Sequence, residues 1–179
     1  MKIVKKDILF ATRYLNFVGF TFLNNNNKEE IWYSAERHNQ GKTVLIAARV
    51  ENKLVVTKEF RVPIGDYEWG LPAGLVDGDE LPAETAKREL KEETNLDLES
   101  ISEITPYLTN TAGMTNEVVS IVYCTAKGSV NALGNEQTED IQCFLLDKEQ
   151  LSILLQDKNK KFSAKAYLIF RQFLEKGSW

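Results

Sequence analysis

Glu89, Glu92 and Glu93 stand at positions i, i+3 and i+4 of the run Arg88-Glu89-Leu90-Lys91-Glu92-Glu93-Thr94. On a helix that spacing projects all three carboxylates from one face. Like charges so close repel, and a divalent hard cation removes the cost, because Mg²⁺ takes oxygen ligands and prefers a few carboxylates together with water and phosphate. Arg88 can form charge-assisted bonds that hold one carboxylate in place. The glycine-rich stretch before the helix, Gly74-Leu75-Val76-Asp77-Gly78, lets backbone approach such a metal closely and offers a carbonyl as a further ligand. The competing interpretation is a solvated, highly charged amphipathic helix. The chain has one histidine, His38, and no obvious nucleophile, so a catalyst here works mainly with carboxylates, arginines or a metal.

The elements that must position these groups are legible in outline. Over 179 residues, 43% apolar and 27% charged, the chain suits one compact α/β or α+β domain with a small appendage. Residues 1–40 predict a small β-rich unit, with strands over 17–23 and 31–36 joined by the run Asn24-Asn25-Asn26-Asn27. Two β-branched runs, 42–50 and 53–62, flank Glu51-Asn52 and predict a hairpin. Residues 65–78, rich in glycine and proline, predict loop around a short strand. A helix over 81–94 has Pro82 near its start, where proline is tolerated, and places Ala83, Ala86 and Leu90 on a face away from the glutamates. Strands follow at 118–126 and 141–146. Asp147 and Gln150 form a capping-box pattern before Leu151, Leu154 and Leu155. A last helix repeats Phe162, Ala166, Ile169, Phe170, Phe173 and Leu174, with Gly177 just past its end.

Composition also excludes classes. The formal charge of −4, from 22 basic and 26 acidic residues, gives no basis for a nucleic-acid or anionic-membrane binder. Asp7, Arg13 and Asn16 interrupt any signal-peptide core or membrane span. Cys124 and Cys143 lie in apolar runs and are expected as buried free thiols of a cytoplasmic protein, with no disulfide framework and no zinc site. His38 is expected at the surface.

The segment from Gly74 to Leu96 resembles the Nudix hydrolase signature: Gly, five residues, Glu, seven residues, Arg-Glu-aliphatic-any-Glu-Glu, any residue, Gly, aliphatic. One position departs, Asn95 in place of the last glycine. Asn is the next-best residue for a left-handed turn at a helix end, so the turn is expected to survive. Taken with residues 31–37, 55–61, 71–77 and 112–117, the chain is most similar to the ADP-ribose pyrophosphatase branch. That resemblance implies an α/β/α sandwich around a mixed sheet, residues 41–179, preceded by an amino-terminal β subdomain, residues 1–40, that helps form a homodimer.

It further implies Mg²⁺-dependent hydrolysis of ADP-ribose to AMP and ribose 5-phosphate, with Mn²⁺ as an alternative cation. By position, Glu89, Glu92 and Glu93 would be metal ligands with the Ala73 carbonyl, and Gly74 and Glu80 would support the metal shell. Arg88, Glu92, Glu93 and Glu117 would form the catalytic group, Glu117 assisting the attacking water. Arg61 would bind the diphosphate. Arg37 and Trp32 would contact the adenosine side, with Trp32 stacking on the base. Three positions differ from the branch: Gly70 where Glu is frequent, Thr111-Ala112-Gly113 where Ser-Pro-Gly is frequent, and Glu59 where Gln is usual. Two alternatives stay open: a pyrophosphatase acting on nucleoside triphosphates or dinucleotides, and a module that binds a nucleotide sugar without cleaving it.

Overall fold

Apolar residues on adjacent β-branched strands alternate between two faces, and that alternation builds the molecule around one sheet with a core on each side. The structure is a computed structural model that describes residues 1–38, 41–131 and 140–177. Strand β4 (Lys42–Val50) sends Leu45 and Ala47 to one face and Val44, Ile46 and Ala48 to the other. Strand β5 (Lys53–Arg61) does the same with Leu54 and Val56 against Val55. On the first face lie helix α2 (Lys148–Gln156) and helix α3 (Ala164–Lys176), through Leu151, Leu154, Ile169, Phe170 and Phe173. On the second face helix α1 (Pro82–Thr94) buries Ala86 and Leu90. Each such side chain, fully withdrawn from water, contributes roughly 1.5–3 kcal/mol when it is the size of Leu or Phe. The result is the expected helix–sheet–helix sandwich.

The remaining strands of this mixed sheet are β6 (Asp66–Gly70), β7 (Ala73–Leu75), β8 (Asp97–Ile104), β9 (Leu108–Thr109), β10 (Val118–Lys127), β11 (Ile141–Leu146) and β12 (Lys161–Phe162). Its long path runs β12-β6-β5-β4-β10-β8, with β10 parallel to β4. The predicted β4–β5 hairpin forms, with Glu51 at φ 53°, but its strands pair only near the turn, Arg49 with Leu54 and Val50 with Lys53. Beyond that they part. β4 then pairs with β7 and β10, and β5 with β6 and β11. A cavity opens where the two strands diverge.

A separate three-stranded antiparallel sheet precedes this layer: β1 (Lys2–Ala11), β2 (Leu15–Leu23) and β3 (Glu29–Arg37). The asparagine run forms the β2–β3 turn, with Asn27 at φ 56°. The sequence predicts two strands here. β1 adds a third, hidden from the pattern because Lys2, Lys5 and Lys6 break the apolar alternation that marks a strand.

Other expectations need correction. Residues 65–78 hold two strands, β6 and β7, whose partners β5 and β4 are supplied by the rest of the fold. Phe162 lies outside the last helix, on β12 beside Trp69, and packs edge-on against Phe170. The expected caps form, Gly177 ending α3 at φ 75° among them. Asp147 accepts from the Gln150 amide at 2.9 Å while Gln150 accepts from the Asp147 amide at 3.1 Å. Asn95 closes α1 at φ 62°, its amide reaching the Lys91 carbonyl at 2.9 Å. Cys124 is buried, whereas Cys143 is half-buried and donates its thiol to the Glu93 carbonyl at 3.0 Å. Burial pushes both thiols up to about 12. His38 is exposed, with Nε2 3.3 Å from the Thr12 carbonyl oxygen. Among the described residues no helix is long and apolar enough to cross a membrane.

Candidate active site

The acidic face of α1 is organised by Arg88. Its Nε and Nη2 donate to the two oxygens of Glu80 at 3.2 and 3.0 Å, and Nη2 also reaches the Leu75 carbonyl at 3.1 Å. Nη1 donates to Glu89 at 2.8 Å and Glu92 at 3.2 Å. Every donor of the guanidinium is therefore engaged, a planar fork matched to carboxylates. Arg88, helped by the Thr85 hydroxyl, holds the Glu80 carboxyl at about 2 in place of its ordinary 4.5. Glu80 in turn raises the Arg88 pKa. Both shifts agree, and the pair is ionised at neutral pH.

Strand β7 lies across this face. Glu93 accepts from the Ala73 amide at 3.3 Å. Glu89, with only 14% of its side chain exposed, fills the space over Gly74. A Cβ on Gly74 would sit 1.9 Å from the Glu89 carboxyl carbon, so only glycine lets the strand and the carboxylate approach this closely. Glu92 is 54% exposed and points to the rim. Among the described residues no three acidic, histidine or cysteine side chains converge on a common metal position. The reason is local: the Arg88 guanidinium bridges Glu89 and Glu92, and Glu93 turns to the Ala73 amide.

Ala73 and Gly74 also line the cavity between the parting strands, of about 470 Å³. Into it come Arg61 from the end of β5, Arg37 from the end of β3, and Glu117 just before β10. Arg61 pairs with Glu59 at 2.5 Å and with Glu68 at 3.6 Å. Arg37 donates to Glu117 at 2.9 Å across eighty residues of chain. Asn116 exchanges two hydrogen bonds with the Arg37 backbone, at 2.9 and 3.1 Å. Gly41, at φ 64°, turns the chain here, and its missing Cβ would meet the Glu117 backbone at 3.0 Å.

Trp32 is elsewhere. Its indole N–H donates to the Gly113 carbonyl at 2.9 Å, and it lines a neighbouring apolar groove of about 600 Å³ with Phe20, Phe22 and the 112–116 loop. The fold thus gathers Arg37, Arg61, Ala73, Gly74 and Glu117 in one cavity. It puts Glu80, Arg88, Glu89, Glu92 and Glu93 behind β7, and Trp32 across a loop. Sequence reasoning missed Glu68, Asn110 and Lys165, which share the cavity wall. Lys165 alone carried a signal, as a cation in the first turn of a helix, where the macrodipole disfavours it.

The NUDIX domain description matches residues 39–168. The chain belongs to the NUDIX family. Within this family it is 33% identical over 81 residues to the ADP-ribose pyrophosphatase of Bacillus subtilis, an alignment covering 45% of this chain and 43% of that protein. It is 28% identical over 142 residues to the methanol dehydrogenase activator of Bacillus methanolicus, covering 75% of each. The chain thus spans less than half of the first relative's length. A solved structure titled as an ADP compounds hydrolase superposes at a TM-score of 0.79, covering 98% of this chain and 95% of that one at 20% identity. This likeness is one of fold, and at 98% coverage it extends over both the divided sheet and the small amino-terminal sheet.

Proposed function

We propose that this NUDIX chain is a cytoplasmic hydrolase that cleaves the diphosphate bond of ADP-ribose or a related nucleoside diphosphate sugar, giving AMP and a sugar phosphate. The observation that carries the reading is the contact of two charged arrays through β7: the α1 carboxylates around Arg88 on one side, and a cavity entered by Arg37 and Arg61 on the other. By chemistry the donor set suits a hard divalent cation, since Glu89, Glu92 and Glu93 carry carboxylate oxygens and Ala73 a carbonyl, while glycine at position 74 lets the Glu89 carboxylate close on β7. Mg²⁺ or Mn²⁺, when bound, neutralises phosphate charge and raises the acidity of water.

The chain's own groups do the rest. Arg61 releases Glu59 and binds the diphosphate, stabilising charge that develops on the bridging oxygen. Arg88 keeps Glu89 and Glu92 oriented, with Glu80 and Gly74 supporting. Glu117 accepts a proton from the attacking water while Arg37 holds its carboxylate. Trp32 stacks on the adenine, worth about 1–3 kcal/mol by the measure of base–aromatic stacking. The groove beside Trp32 is reached from the amino-terminal sheet of β1, β2 and β3, whose Ile3, Ile8 and Phe10 are 64%, 59% and 66% exposed. Covering such a surface is the task of a second copy, so the working form is a homodimer. Light scattering at micromolar concentration is expected to give twice the chain mass, and a monomer would remove this part of the reading.

A panel of ADP-ribose, other nucleotide sugars, dinucleotides and nucleoside triphosphates, with Mg²⁺ and phosphatase-coupled phosphate release, tests the substrate. ADP-ribose is expected to show the highest kcat/KM, and Arg61→Ala to lower it about 10–100-fold, as for a lost charge-assisted contact. Gly70, which lines the cavity where a glutamate would add a carboxylate, favours a second reading in which a triphosphate is preferred. A triphosphate better than ADP-ribose by about tenfold, roughly 1.4 kcal/mol, would establish that reading instead.

A further inference from the structure

Lys165 is the second residue of α3 and lies in the cavity wall, half-buried. The site costs the fold something: burial pushes the lysine's pKa down, and a first-turn cation opposes the helix dipole. Among the described residues Lys165 forms no ion pair within 4 Å; its ammonium donates instead to Asn110 Oδ1 at 2.7 Å. Asn110 Nδ2 donates to Glu117 Oε1, and the Asn110 amide reaches the Glu117 carbonyl at 3.1 Å. The other carboxylate oxygen, Oε2, is held by Arg37 at 2.9 Å.

We propose that Lys165 is a positioning residue, which fixes the side-chain amide of Asn110 and through it the carboxylate of Glu117. The inference deepens the function proposed above and rests on its role for Glu117. An asparagine amide has one accepting end and one donating end. A lysine, which only donates, can be satisfied only by Oδ1, and that leaves Nδ2 facing Glu117. The flipped amide would set NH₂ against an ammonium and a carbonyl oxygen against a carboxylate, two repulsions at once. Lys165 thereby selects one of two nearly isosteric arrangements. Glu117 is clamped from α3 by way of Asn110 and from β3 by Arg37, so its rotamer is decided by two elements outside its own loop.

The test is steady-state kinetics on whichever compound of the panel turns over fastest, with melting temperature as a check on folding. Lys165→Met, close in length and uncharged, is expected to lower kcat about tenfold with KM within about twofold, the size of effect seen when a supporting partner is removed. Asn110→Ala should match it, and Lys165→Arg should restore most of the loss. In a Glu117→Gln background, Lys165→Met should have no further effect, because the group it positions is gone. A rise in KM at unchanged kcat would make Lys165 a substrate contact and overturn the proposal. So would losses that multiply in the double variant, or wild-type kcat in Lys165→Met when Glu117→Gln is impaired. Wild-type activity in Glu117→Gln would instead sink the role of Glu117 itself.

Discussion

Glu93→Gln is expected to lower kcat by roughly 10²–10⁴-fold while the protein stays folded, a loss of the size associated with a group acting in the transition state. The fold should tolerate the change because glutamine keeps an acceptor: its side-chain oxygen can still take the Ala73 amide now 3.3 Å away. The helix is anchored by Ala86 and Leu90 on its other face, untouched by the substitution. What glutamine lacks is the negative charge, and that charge is what a hard cation requires of this face. Chelation of divalent ions with EDTA should abolish activity of the unaltered protein, and added Mg²⁺ should restore it. Equal turnover in wild type and Glu93→Gln, or full activity in EDTA, would overturn the assignment of the α1 face.

Gly74→Ala should produce a loss of similar kind with only a modest structural footprint. The added methyl would lie 1.9 Å from both Cδ and Oε1 of Glu89, a distance no Cβ sustains. The backbone of β7 is fixed by its ladder to β4, Val44 opposite Gly74, so the flexible carboxylate must yield. Displacing it breaks the 2.8 Å bond from Arg88 and shifts a candidate metal ligand by more than an ångström. A displacement of that order costs about 10²-fold in rate. Because the clash is relieved by a side chain, the melting temperature should fall by only about 2–4 °C, the equivalent of roughly 1 kcal/mol in a chain of this length. Kinetics and thermal unfolding on the same preparation separate the two effects. Unchanged kcat/KM would mean that Glu89 is dispensable, and a collapse in melting temperature would mean that β7 moves instead.

The local part of the site is legible in the amino-acid sequence, because helix geometry converts spacing directly into direction. Positions i, i+3 and i+4 put Glu89, Glu92 and Glu93 on one side of α1, Pro82 marks its start, and Asn95 serves as its left-handed end. The β-branched runs of β4, β5, β10 and β11 are equally readable, since each packs against a core. Strands without such a run are less so: β1 is largely exposed, and the short β6 and β7 read together as a single strand within a loop. Nor does sequence disclose that the β4–β5 hairpin separates after two residue pairs, because the divergence is imposed by β6, β7, β10 and β11 competing for its edges. The cavity exists only because of that separation. The pairs that shape it, Arg37 with Glu117 and Lys165 with Asn110, join residues eighty and fifty-five positions apart. No periodicity links positions so distant. Their meeting is fixed by strand register and by how α3 seats on the sheet, and the same register sends Trp32 to a neighbouring groove. Residue types and local spacing point to the groups proposed to hold a cation and a diphosphate; the packing of distant strands and helices settles which of them face one another.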